Sequence, residues 1–73
     1  MKPRYLSLRR IVRQSRRAGD ITQRELGRQI GKSREYVSWV ECGRLPATAI
    51  RVREFADVLG FDPEIIAIEY EHK

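Results

Sequence analysis

The stretch of residues 22–43, TQRELGRQIGKSREYVSWVECG, constrains the fold of this chain more than any other. Leu26 and Ile30 are four residues apart, which is one helical turn, so they share one face of a helix. Gly27 follows Leu26 on the side where a second helix would cross closely. Gly31 falls where the first helix must end and the chain must turn, a position that often needs a positive φ. The spacing therefore predicts a short helix followed by a tight turn.

A second short helix is predicted directly after this turn. Ser33 can act as its N-cap, because a serine hydroxyl accepts a hydrogen bond from an amide of the first helical turn. Val37 and Val40 are three residues apart and point inward together. The remaining positions form an outward, mostly polar face that can contact a ligand: Ser33, Arg34, Glu35, Ser38, Trp39 and Cys42.

The rest of the chain is predicted to form further short helices around this pair. The apolar spacing favours helices over residues 6–18, 23–29, 34–42 and 49–59. Asp62 as an N-cap, with Pro63 in the first turn, favours the start of a fifth helix. No linker or internal repeat interrupts the sequence. We therefore expect one domain, residues 1–73, with an all-α fold: a compact bundle of about five short helices.

Length and composition exclude several classes of protein. A chain of 73 residues buries about 60% of its unfolded surface, so its core is small. With one cysteine and one histidine it forms neither an internal disulfide nor a zinc site, and we expect no metal and no cofactor. No apolar run approaches the ~20 residues of a membrane span and no signal peptide is recognisable, which favours the cytoplasm. The sequence offers no nucleophile–base pair or phosphate-binding glycine loop, so we expect no catalytic residues and no enzyme.

Charge is distributed unevenly along the chain, whose formal net charge is +5. Residues 1–24 hold eight Lys or Arg against one acid, Asp20, whereas residues 61–73 hold four acids against one Lys. This asymmetry favours a polyanionic partner near the basic end, with the acidic end facing away. The alternative is that these charges are simply solvated.

The central stretch resembles the helix-turn-helix of the phage repressor/Cro (XRE) family. That family usually reads TQ-x-x-LA-x-x-x-G-x-S-x-x-x-[IV]-S-x-x-E-x-G. This chain supplies Thr22-Gln23, Leu26, Gly31, Ser33, Val37-Ser38, Glu41 and Gly43. No single one of these residues is specific to the family, but the whole set at this fixed spacing is specific to it. The resemblance implies a lambda-repressor-like domain that binds double-stranded DNA, with its helix-turn-helix core at residues 22–43.

The chain departs from the family pattern at two places. The family has Gly where this chain has Asp20, either by plain substitution or because the glycine has moved to Gly19. Pro46 lies five residues after Glu41, where the family has six. We therefore expect an altered loop before the fourth helix and an unaltered fold.

The outward face of the third helix is the predicted reader of base edges in the major groove. Arg34 lies in its first turn and can donate two parallel hydrogen bonds to guanine. Glu35 can accept from cytosine N4, or instead pair with a neighbouring cation. Ser38 and Trp39 lie one turn further on, and Trp39 packs either on a thymine methyl or against helix 2 or a dimer partner. Tyr36 is expected to pack at the edge of the fourth helix.

Contacts to backbone phosphates are expected beside this face. The resemblance assigns one to Gln23, and the exposed amides and positive dipole end of the second helix also favour an anion there. Lys32, Ser33 and Arg44 are similarly placed near the edge of the groove. The arginines of the first helix add longer-range attraction or are solvated.

The resemblance also implies an ion pair between Arg16 and Glu41, provided that Asp20 is a plain substitution. Such a pair would fix the third helix against the first. Its role would be structural support of the base-reading helix rather than contact with DNA.

Residues 61–73 carry more apolar surface than one short helix can bury alone. We expect them to form a dimer interface through five side chains, namely Phe61, Ile65, Ile66, Ile68 and Tyr70. The alternative is that they close the core of the monomer. A symmetric homodimer would bind two half-sites about one helical turn apart.

The resemblance thus implies sequence-specific binding to double-stranded DNA by a small dimeric transcriptional repressor. Two alternatives stay open. One is the antitoxin of a toxin–antitoxin pair, which would bind both DNA and a toxin protein. The other is an adaptor that binds RNA or protein without DNA sequence specificity.

Overall fold

A computed structural model describes residues 5–69 of the chain. It contains four α-helices and a final 3₁₀ turn: α1 (Leu8–Ala18), α2 (Gln23–Ile30), α3 (Arg34–Glu41), α4 (Ala49–Leu59) and Pro63–Ile65. The predicted all-helical fold is confirmed. None of the helices in the described range is long and apolar enough to cross a membrane.

The turn between α2 and α3 forms as the sequence predicts. Gly31 ends α2 with a φ of 72°, in the left-handed region. Ser33 caps α3, because its Oγ accepts a hydrogen bond from the Tyr36 amide at 3.1 Å. Thr22 caps α2 in the same way, through the Glu25 amide at 3.1 Å. Both helices therefore begin at side-chain caps that are encoded locally.

Gly27 lies where α2 closely approaches the turn into α3. A Cβ atom at this residue would stand 2.9 Å from the carbonyl oxygens of both Lys32 and Ser33. The Gly27 carbonyl also accepts a hydrogen bond from the Lys32 amide at 2.7 Å. The missing side chain therefore allows the two backbones to come this close.

Asp20 adopts a φ of 56° in the turn between α1 and α2. Gly19, immediately before it, has a right-handed φ of −84°. The left-handed position is thus occupied by the aspartate itself. Asp20 is a substitution in place, and the glycine has not moved.

All four helices contribute to one core. Its side chains are at most 3% exposed and comprise Leu8, Val12, Leu26, Val37, Val40, Ala47, Val52, Phe55 and Ile66. Val37 and Val40 belong to α3, so this helix is anchored from behind while its polar side stays outside.

The C-terminal segment departs from the expected fifth helix, which is only one 3₁₀ turn. The Leu6 amide donates to the Ile65 carbonyl at 2.8 Å, and the Leu6 carbonyl accepts from the Ala67 amide at 2.9 Å. This pairing keeps Leu6 out of α1, which begins at Leu8. The run of β-branched isoleucines favours the extended conformation over a helix.

This geometry corrects the expectation that Ile66 lies in a dimer interface. Ile66 is 2% exposed and belongs to the core of the monomer. Phe61, Ile65 and Ile68 are partly buried against the same core. Tyr70 lies outside the described residues. The described part of this segment therefore packs on the core of the monomer, and a dimer interface through its remaining surface stays a prediction.

Candidate nucleic-acid interface

The outward side of α3 carries the four side chains that we predict to read bases, and we call it the recognition face. Arg34 and Glu35 are exposed in the first turn of the helix. One turn further on, Trp39 is 43% exposed and Ser38 is half-buried. The indole therefore has free surface with which to contact a ligand.

A basic cleft opens beside the N-terminal end of the recognition face. It is lined by Arg24, Arg28, Lys32, Ser33, Arg34 and Glu35. Lys32 and Ser33 thus line the same cleft as Arg34. Four cations against one acid give this cleft a positive potential that favours an anionic ligand.

Arg24 and Arg28 were missed as candidate site residues. Both are exposed on α2 and line the basic cleft. The signal was present in the sequence, since residues 24 and 28 are four apart and therefore share one side of the predicted helix, with Lys32 following in the turn. Helical spacing of cations would have found them.

Arg16 and Glu41 form an ion pair behind the recognition face. Arg16 Nε donates to Glu41 Oε2 at 2.7 Å, and Nη2 donates to Oε1 at 3.1 Å. Their side chains are 14% and 5% exposed, so the pair is shielded from water. The hydrogen bond from Arg16 to Glu41 raises the pKa of the Arg16 guanidinium, which therefore stays charged. The pair connects α1 directly to the last residue of α3.

Gln23 joins this pair, and its contact with a phosphate stays a prediction. Its Nε2 donates to Glu41 Oε1 at 3.3 Å. Arg16 Nη1 also donates to the carbonyl of Ile21 at 3.0 Å, just before α2. The network thus fixes the start of α2 relative to α1 and α3. The amides at the N-terminus of α2 remain the part of this site suited to an anion.

Tyr36 packs toward α4, as the sequence predicts. Its hydroxyl donates to Glu54 Oε1 at 2.8 Å and accepts from Arg51 Nε at 2.9 Å. Its ring stacks on Phe55, with centroids 6.0 Å apart. Burial raises the pKa of the Tyr36 phenol, so the hydroxyl keeps its proton at neutral pH. Lys32 Nζ lies 5.5 Å from the ring centroid, which holds that cation beside the basic cleft.

The loop after α3 turns sharply at Gly43, which has a φ of 75°. The Arg44 amide donates to the Trp39 carbonyl at 2.9 Å, so the exposed Arg44 follows the C-terminal end of the recognition face. The shifted Pro46 is accommodated, because its carbonyl accepts from Arg51 Nη1 at 2.6 Å. α4 still begins under a Thr48 cap.

The structure thus brings Lys32 and Ser33 to one end of α3 and Arg44 to the other. Cys42 is an exposed free thiol. Among residues 5–69, no group of three His, Cys, Asp or Glu side chains is arranged to hold a metal ion.

The family model described as "Helix-turn-helix domain" matches residues 7–67, which spans α1 to the extended C-terminal segment. No curated protein and no solved structure matched the chain in the corresponding comparisons.

Proposed function

The chain belongs to the helix-turn-helix domain family, a DNA-binding fold, and from this premise we propose that it binds double-stranded DNA sequence-specifically through α3. We propose further that it is a small dimeric transcriptional repressor of the phage repressor/Cro (XRE) kind. The resemblance of residues 22–43 to that family supports this finer assignment.

One observation carries the proposal: the N-terminal end of α3 presents Arg34 and Glu35 from within a cleft lined by cations. A helix fits the major groove, where each base pair shows a distinct pattern of donors and acceptors. Arg34 supplies the two parallel donors that match guanine O6 and N7. Glu35, Ser38 and Trp39 extend the recognition face toward neighbouring base pairs.

Backbone contacts would hold α3 in register. Lys32, Ser33 and Arg44 lie at the two ends of α3 and suit phosphate oxygens in type and exposure. The N-terminus of α2 offers backbone amides to a further phosphate, while the Gln23 side chain and the Arg16–Glu41 pair keep that helix in place.

Dimerisation would double the small number of base pairs that one copy of the protein can contact. α3 has eight residues and is therefore about 12 Å long, enough for only a few base pairs. Two copies on half-sites one turn apart would read twice as many. With Ile66 in the core, the interface would have to use the partly exposed Phe61, Ile65 and Ile68, with Tyr70 in the segment that follows.

The test is selection of duplexes from a random library, followed by binding measurements on the enriched sequence and a scrambled one. Arg34→Ala should lower the preference for the enriched duplex by about 5- to 150-fold, the equivalent of ~1–3 kcal/mol for one bidentate contact. The matched control is Arg53→Ala, an exposed arginine on α4 with the same change in charge. No enriched sequence, or an equal effect of the two substitutions, would contradict the proposal.

A further inference from the structure

The arginine face of α1 is the strongest charged surface that the proposed recognition face does not use. Arg9, Arg10, Arg13, Arg16 and Arg17 lie within about 120° of the helix circumference, since successive residues are ~100° apart. We propose that Arg9, Arg10 and Arg13 form a second contact surface for the sugar-phosphate backbone of the bound duplex. This inference rests on the proposed function.

Among residues 5–69 only Arg16 of this face has an ion-pair partner; Glu69 lines a cleft with Arg9 but forms no salt bridge with it. The first turn of α1 contains no acid, and Ser7 makes no side-chain cap there. Arg9 and Arg10 thus lie at the positive end of the helix dipole, where cations are unfavourable. Arg13 repels Arg9, four residues before it. Over residues 5–69 the one salt bridge is Arg16–Glu41. An anion along α1 would relieve the repulsion.

The arginine face is continuous with the elements that position α3. Arg9, Arg10 and Arg13 line one open cleft with Glu41, the last residue of α3. The Arg9 stem also reaches the turn after α3, because its Cδ lies 3.2 Å from where a Cβ of Gly43 would stand. Glu41, the acid in this cleft, is already bound by Arg16. Within residues 5–69 the cleft therefore offers three guanidinium groups without an ion-pair partner.

These positions favour a duplex backbone over a small anion. α3 has one basic surface at its N-terminal end, formed by Arg24, Arg28 and Lys32, and the arginine face beside its C-terminal end. A helix in the major groove lies between two phosphate strands, so cations at both ends match both strands. Planar guanidinium groups suit phosphate oxygens particularly well.

The first experiment compares Arg13→Gln with Arg53→Gln over a salt series on the selected duplex. Both arginines are exposed, and both substitutions remove one charge. If Arg13 binds a phosphate, its loss should make the negative slope of log K against log salt shallower by about 0.9, whereas Arg53→Gln should leave the slope unchanged. Equal slopes for the two variants would overturn the inference.

A second readout separates this inference from the proposed function. Arg13→Gln should weaken binding to selected and scrambled duplexes by the same factor, whereas Arg34→Ala changes their ratio. A set of duplexes can be made in which one phosphate at a time is replaced by a neutral methylphosphonate. At one position the replacement should weaken binding by the wild-type protein but should not weaken binding by Arg13→Gln any further. The absence of such a position argues against the contact. If no sequence is enriched but the Arg13 slope effect persists, only sequence-specific recognition fails.

Discussion

Replacing Glu41 with alanine tests the support of α3 most directly. The substitution removes the acceptor for Arg16 at 2.7 and 3.1 Å and for Gln23 at 3.3 Å. Breaking a buried ion pair from one side costs ~3–5 kcal/mol, because the remaining charge is left without a partner. Arg16 keeps its bond to the Ile21 carbonyl and is 14% exposed, so we expect the lower end, about 3 kcal/mol.

That loss is a large share of the stability of so small a domain. A chain of 73 residues is stable by about 4–11 kcal/mol, and each kcal/mol corresponds to ~4–8 °C in its Tm. Glu41→Ala should therefore lower the Tm by roughly 12–24 °C in thermal unfolding followed by circular dichroism. DNA affinity should fall together with stability, because α3 loses its anchor to α1.

Two controls isolate the ion pair. Glu35→Ala removes an exposed acid from the same helix and should change stability by less than ~0.5 kcal/mol. The double replacement Arg16→Met with Glu41→Leu should recover much of the loss, because no charge is left unpaired. A Glu41→Ala variant with the same Tm as the wild-type protein but a lower DNA affinity would refute the support role.

Two further substitutions test the backbone geometry by thermal unfolding. Gly27→Val should destabilise the domain by about 2–3 kcal/mol, since the new side chain meets the carbonyls of Lys32 and Ser33. Its control is Gln29→Val at an exposed position of the same helix, which measures only the cost of a β-branched residue in a helix. Similar Tm values for both would refute the close approach. Asp20→Ala should destabilise by about 1 kcal/mol because it places alanine at a positive φ. Gly19→Ala, at an ordinary φ, should not; a reversed order would contradict the assignment of Asp20 to the left-handed position.

The helix-turn-helix region was predictable because its signals are local. A glycine at the left-handed turn, hydroxyls at Thr22 and Ser33, and inward valines each act within a few residues of the chain. The Arg16–Glu41 pair spans 25 positions, and its prediction came from family resemblance rather than from the residues alone.

The misses involve interactions between distant parts of the chain. Asp62 and Pro63 favour the start of a helix locally. The residues that follow are extended instead, because they hydrogen-bond to the backbone of Leu6 and because Ile66 is buried in the core. Tertiary contacts overrode local preference in this segment.

The pairing of Leu6 with Ile66 also has a consequence for the order of folding. These two residues are sixty positions apart in the chain, so their contact closes a loop around nearly the whole domain. α2 and α3 are adjacent in sequence and can dock with little loss of chain entropy. The pairing of Leu6 with Ile66 closes a much longer loop and must therefore follow the assembly of the helices. The α2–α3 pair that carries the recognition face would then form early, and the pairing of Leu6 with Ile66 would form last.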